Sequence, residues 1–190
     1  MIFSLIFYLN TLLSVSGVSS ENPHCISPDE KILYDLIMDH RQSLGLKPVP
    51  MSTSLSEVAR LHSIDLMNNF DLDKMDECNL HSWSKSTKWN GCCYTADHSQ
   101  ANCMWDKPKE INGYPSHGYE ISYFYSSGAK PEIAMAGWEK SPAHISVIAN
   151  RGIWSDIQWK AIGIGIHGSY ATVWFGTVDD ENGVPKTCRN

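Results

Sequence analysis

Ile162-Gly163-Ile164-Gly165-Ile166-His167-Gly168-Ser169-Tyr170-Ala171-Thr172-Val173-Trp174-Phe175-Gly176 is the stretch on which the fold turns. Isoleucine alternates with glycine, so residues 162–166 read as a strand with one greasy face and one face without side chains. A bare strand face calls for something bulky at close approach. His167-Gly168-Ser169 supplies turn chemistry, and Tyr170 to Val178 returns as a second strand of aromatic and β-branched residues.

Upstream of this hairpin the pattern is helical. Ser27-Pro28-Asp29-Glu30 is a capping box with proline at the first helical position, and Ile32, Leu33, Leu36, Ile37, His40 and Leu44 recur at helical spacing until Gly45. Ser54 to Glu57 reads as a second capping box, with Leu55, Val58, Ala59, His62 and Leu66 on one face. His62, on that apolar face, reads as a satisfied core histidine. Residues 71–118 are irregular and rich in Cys, Gly, Asn, Asp and Ser. Tyr119 to Tyr125 alternates as a strand, and Lys130-Pro131-Glu132 opens a helix running to Trp138. Ser141-Pro142 then redirects the chain towards His144, so that this histidine is expected at the end of that helix.

The length of 190 residues fits one domain. Residues 1–20 carry no Lys, Arg, Asp or Glu, and are read as a secretory signal peptide cut near Ser20, with a retained anchor as the competing reading. Residues 21–190 are then a single domain without a membrane span. The net charge is −6, with no basic stripe, which argues against nucleic acid and anionic membrane as main partners. No Asn-x-Ser/Thr sequon occurs. The six cysteines, Cys25, Cys78, Cys92, Cys93, Cys103 and Cys188, behind a leader imply disulfides and an extracellular destination. Adjacent Cys92 and Cys93 are poor partners for each other, which leaves Cys78 and Cys103 for them in either order and pairs Cys25 with Cys188. A zinc site in this cysteine cluster, with His98, is the competing reading.

Three residues carry candidate chemistry: His81 in the cysteine-rich loop, Glu120 on the aromatic strand, and His144 after Ser141-Pro142. Two neutral imidazoles and a carboxylate with an open position form a set that binds zinc and activates water. Glu120 is the best candidate general base, and its other role is an unligated one, fixing a histidine tautomer. Glu139 is a possible fourth group. No Ser-His-Asp or Cys-His motif stands out for covalent catalysis.

The order of these pieces resembles the CAP superfamily, also called the SCP or TAPS domain, whose members include cysteine-rich secretory proteins, venom allergens and plant pathogenesis-related proteins. The resemblance rests on His40-Arg41-Gln42-Ser43-Leu44-Gly45-Leu46, His81-Ser82, Tyr119-Glu120-Ile121, Trp138 to His144, and Gly163-Ile164-Gly165 with Trp174-Phe175-Gly176. It covers residues 27 to about 178 and is nearest to the bacterial-like variant. It implies an α+β fold: a three-layer α-β-α sandwich with a central antiparallel sheet and a disulfide-rich loop region. It also implies a cleft of histidines and acids that in many members holds a divalent metal, often zinc, placing His81, Glu120 and His144 there. Tyr119 and Ile121 depart from the family's Gly-Glu-Asn segment, the family's last histidine segment is absent, and Ser141 stands where many members have a glutamate. The implied functions are a secreted binding, signalling or defence module with a sterol, lipid or extracellular protein as partner; a metal-dependent, protease-like hydrolase; or a disulfide-stabilised venom or defence scaffold with a vestigial site. The reading leans to a non-enzymatic module.

Overall fold

The computed structural model describes residues 25–188. The expected signal peptide lies outside the described residues. Elements follow in the order β1 (Cys25–Ile26), α1 (Pro28–Ser43), α2 (Thr53–Asn69), α3 (Ala101–Trp105), α4 (Lys107–Asn112), β2 (Gly118–Phe124), α5 (Pro131–Glu139), α6 (Pro142–Ile148), β3 (Ala161–His167), β4 (Tyr170–Gly176) and β5 (Lys186–Thr187). Single 3₁₀ turns lie at Leu72–Lys74 and Gly152–Trp154. The central sheet is antiparallel with strand order β2-β4-β3, and β1 pairs in parallel with β5.

The hairpin is the expected one. β3 and β4 pair from Ala161↔Gly176 to His167↔Tyr170, and Gly168 takes the positive φ of 57° that a two-residue hairpin turn requires. Alternation then sorts the sheet into two faces. Ile121, Ile162, Ile164, Val173 and Phe175 meet Leu33, Ile37, Met135 and Trp138 of α1 and α5 in one buried cluster. The other face receives α2. A Cβ on Gly163 would lie 2.0 Å from the Leu55 carbonyl carbon, and one on Gly165 would lie 2.2 Å from that of Ala59. The bulky neighbour that the glycines demand is thus the α2 backbone itself. Thr172 Oγ1 donates to Ala59 O at 2.9 Å and Ser63 Oγ to Gly165 O at 3.0 Å across the same seam. Helix, sheet and helix therefore form the three-layer α+β sandwich.

Three local expectations change. The N-cap of α2 is Ser52, whose Oγ accepts from Leu55 N at 2.9 Å, and Ser54 is no cap because its N–H and hydroxyl both donate to Asp180, each at 2.8 Å. The irregular stretch holds two short helices, α3 and α4, packed beside the disulfides. His144 does not end the helix that carries Trp138: α5 stops at Glu139 and His144 sits in the separate α6, with Ser141 at the N-cap position and Pro142 in its first turn. Sequence supplied that N-terminal signature, but seven residues give too short a period to recognise.

All six cysteines are paired as Cys25–Cys188, Cys78–Cys93 and Cys92–Cys103. This corrects the competing zinc reading of the cluster, because a sulfur in a disulfide offers no thiolate, and His98 instead meets Tyr94 Oη at 2.9 Å.

Candidate functional site

Glu120 lies on β2 opposite Trp174 of β4, on the face turned to α2. Its side chain has no solvent exposure. A carboxylate so buried needs partners for both oxygens. His62 of α2 supplies one through Nδ1 to Oε1, and His81 supplies the other through Nδ1 to Oε2 at 2.8 Å. The His62 ring is fully buried, stacked on Trp83 with centroids 4.2 Å apart and planes 6° apart. Its Nε2 lies 2.9 Å from Ser82 O, so both ring nitrogens face acceptors. An ionised carboxylate accepting from the ring makes the His62–Glu120 contact a charge-assisted one.

His81 owes its place to the cysteine-rich loop. Cys78–Cys93 ties the loop's two ends, Asn79 N donates to Tyr94 O at 2.9 Å, and Tyr94 N donates to Ser82 Oγ at 2.9 Å. An Asx turn, with His81 N on Asn79 Oδ1 at 3.0 Å, sets the local backbone, and the imidazole rests edge-on to Tyr94 at 5.2 Å. Its side chain remains 21% exposed. His144 comes from α6, with Nδ1 2.7 Å from Ser141 Oγ. Ser141 thus orients the imidazole rather than acting as an acid.

The charges are coupled. Burial pushes the Glu120 carboxyl up, but the imidazoles of His62 and His81 outweigh this and hold it below its ordinary value, ionised at neutral pH. Burial pushes His144 down, the His81 imidazole pushes the same way, and Glu120 offsets part of the effect. His144 is therefore neutral at pH 7, with Nε2 left to accept or ligate. Burial and then the Glu120 charge raise the Tyr94 phenol.

The structure thus brings His81 and Glu120 into contact and sets His144 within electrostatic reach of both. Glu139 goes elsewhere: its Oε1 lies 3.2 Å from Nδ1 of His40 on α1, and its side chain is 49% exposed. His62 is the residue that sequence reading undervalued. It is a satisfied core histidine, as its apolar helix face suggested, but the group that satisfies it is the site carboxylate. A glutamate on an otherwise aromatic strand was the available sign that a partner from elsewhere in the chain existed.

Among the described residues no cluster of three or more His, Cys, Asp or Glu side chains has the geometry to hold a metal. His81 and His144 each use Nδ1 in a hydrogen bond and keep Nε2, and a carboxylate behind a histidine is the usual support of a metal-binding imidazole.

The α-β-α sandwich is similar in fold to SCP-domain proteins of known structure. The chain matches the solved structure of a cysteine-rich secretory protein from Staphylococcus aureus subsp. aureus Mu50, with a TM-score of 0.53, 12% identity, and coverage of 85% of this chain and 40% of that one. It also matches an extracellular protein containing a SCP domain from Bacillus anthracis str. Ames, with a TM-score of 0.51, 17% identity, and coverage of 77% and 39%. At these identities the shared property is the fold. The chain spans about two fifths of the length of either protein. No known protein family's sequence pattern and no curated protein matches it.

Proposed function

We propose that the chain is a secreted CAP-domain binding module whose cleft takes a divalent metal, zinc first, on Nε2 of His81 and His144. Six cysteines joined in three disulfides support an oxidising destination. The observation that carries the metal reading is the Glu120 carboxylate, fully buried and accepting from two imidazoles, one of which keeps a free nitrogen at the surface. Glu120 fixes the His81 tautomer with hydrogen on Nδ1, His62 anchors Glu120, and Ser141 turns His144. A metal held there supplies a Lewis acid for a ligand oxygen. Binding is favoured over hydrolysis because a general base needs a free lone pair within reach of water, and both Glu120 oxygens are engaged out of solvent.

A lipid or sterol is the second ligand we propose, in a separate groove of about 410 Å³ between the C-terminal end of α2 and the disulfide loop, lined by Leu66, Phe70, Trp83 and Cys92 together with Asp65, Asp71 and Lys74. One preparation tests both. Isothermal titration with zinc should give one site per chain, lost in His81→Ala and in His144→Ala and weakened about 10–100-fold in Glu120→Gln. Solvent extraction should recover lipid from the wild type and not from Phe70→Glu. Zinc affinity untouched by both histidine variants would remove the metal site, and equal lipid recovery would remove the groove.

A further inference from the structure

A partly buried strip of aromatic side chains lies along the sheet's edge strand β2, on the side opposite Glu120, and rests inward on buried Trp159, 5.5 Å from both Tyr119 and Trp154. Trp154, Tyr119 and Trp105 follow one another with ring centroids 5.3 and 5.6 Å apart, and Trp105 continues to His117 at 6.0 Å. Each of the three rings is partly exposed. Ile153, beside Trp154, is 85% exposed, the most of any large apolar side chain among the described residues.

That display is built rather than frayed. Buried Arg41 donates to Ile148 O at 2.6 Å and to Asn150 Oδ1 at 2.7 Å, and Asn150, at φ 48°, donates from Nδ2 to Trp154 O at 3.2 Å and Ile157 O at 2.8 Å. Two hydrogen-bonding side chains, Arg41 and the left-handed Asn150, therefore hold the Ile153–Trp154 tip in place.

The polar atoms of the strip point to its ligand. Trp89, Trp138 and Trp159 each donate their indole N–H to a backbone carbonyl of the chain. Among the described residues the Trp105 and Trp154 indoles and the Tyr119 hydroxyl have no hydrogen-bond partner in the protein, and none of them is sealed from solvent. Partly exposed rings with free donors at their edges, flanked by a carboxylate, suit a ligand that offers C–H faces to the rings and hydroxyls to the rim. A pyranose has that chemistry. The local charge selects among sugars. Asp106 meets His117 at 3.3 Å, on a chain of net charge −6. Nothing there rewards a sulfate or a uronic acid.

We infer that Trp105, Tyr119 and Trp154 form a subsite for a neutral oligosaccharide of β-linked, gluco-configured pyranoses, whose equatorial hydroxyls leave both ring faces apolar. The site is separate from the proposed metal cleft and does not require it.

The test uses the whole chain with cellohexaose, laminarihexaose and chitohexaose, and with mannohexaose and a sulfated glycan as controls. Titration followed by tryptophan fluorescence should show binding of at least one of the three neutral β-linked hexamers and of neither control. Trp105→Leu and Trp154→Leu should each weaken it about tenfold or more, and Tyr119→Phe, which keeps the ring, by less. Thermal melts establish that the variants fold. In the unmodified chain the bound sugar should protect two indoles from N-bromosuccinimide, identified as Trp105 and Trp154 by peptide mapping. No binding of the three neutral hexamers, binding to the sulfated glycan or mannohexaose, affinity indifferent to both tryptophan variants, or unprotected indoles at saturation would each overturn the assignment.

Discussion

Replacing His62 by phenylalanine keeps a flat ring over Trp83 and removes both donors. Glu120 Oε1 loses its partner, and so does Ser82 O. Removing one member of a buried pair costs about 3–5 kcal/mol, because the survivor is left charged in a dry site. The stranded carbonyl alone would add about 1–3 kcal/mol. Two effects limit the sum: Glu120 keeps its bond from His81, and it can escape by taking a proton, which bounds the loss at about 1.4 kcal/mol per unit that its pKa must rise. The expected net loss is about 3–5 kcal/mol, or roughly 6–20 °C in Tm for a domain of this size. Urea denaturation at pH 7, followed by circular dichroism, measures it. A double-mutant cycle isolates the pair: Glu120→Leu alone leaves His62 without its acceptor, and the double variant leaves neither stranded. The cycle should give a coupling of about 2 kcal/mol or more. A loss below about 1 kcal/mol for His62→Phe, or additivity within about 0.5 kcal/mol, would refute the buried charge-assisted pair.

Two further outcomes follow from the same structure. Gly163→Ala puts a methyl 2.0 Å from backbone of α2, which cannot rotate away, so the helix must retreat by more than an ångström. A loss of at least 1–3 kcal/mol (about the range for overpacked cores) is expected in a thermal melt, whereas Gly91→Ala, whose methyl meets its nearest neighbour at 3.4 Å, should change little. For pH, the His144 pKa is lowered from 6.5 in the folded state, so the unfolded chain takes the proton first as pH falls. Stability should therefore decline below pH 6.5 until the lowered folded value is passed, and His144→Gln should remove that share of the decline. Parallel Tm–pH curves for the two proteins would contradict it.

What sequence made legible was periodic or locally capped. The Ile-Gly alternation announced both the hairpin and a close neighbour, and the Ser27 to Glu30 box marked the start of α1 to the residue. The α2 cap was displaced because Asp180, more than a hundred residues away, claims Ser54, and no local pattern encodes that contact. At the site, His81, Glu120 and His144 were visible as chemistry-bearing residues in segments of family-like order. His62 was visible only as an apolar-face histidine, because its role depends on which strand α2 covers. Glu139 was one turn from relevance in sequence and faces His40 in space, since α5 ends there and the chain turns before α6.

The bare glycine face and the buried carboxylate are one design. With side chains at 163 and 165, α2 would stand off the sheet, and the helix backbone could not meet β3 at the contact distance seen at Leu55 and Ala59. His62 follows Ala59 by three residues on that helix, so the close approach also sets how far its imidazole reaches towards β2. Trp83 completes the wall by stacking on the imidazole, and Trp174 lies edge-on to it at 6.2 Å. Water is thereby excluded from Glu120, the only carboxylate among the described residues with zero side-chain exposure that accepts from two imidazoles. The surface histidine, His81, is then held from behind by a charge that solvent cannot screen. A change at Gly163 should accordingly weaken zinc binding at the proposed His81 site through α2 and Glu120, with no altered residue in the cleft, and isothermal titration of Gly163→Ala with zinc measures it.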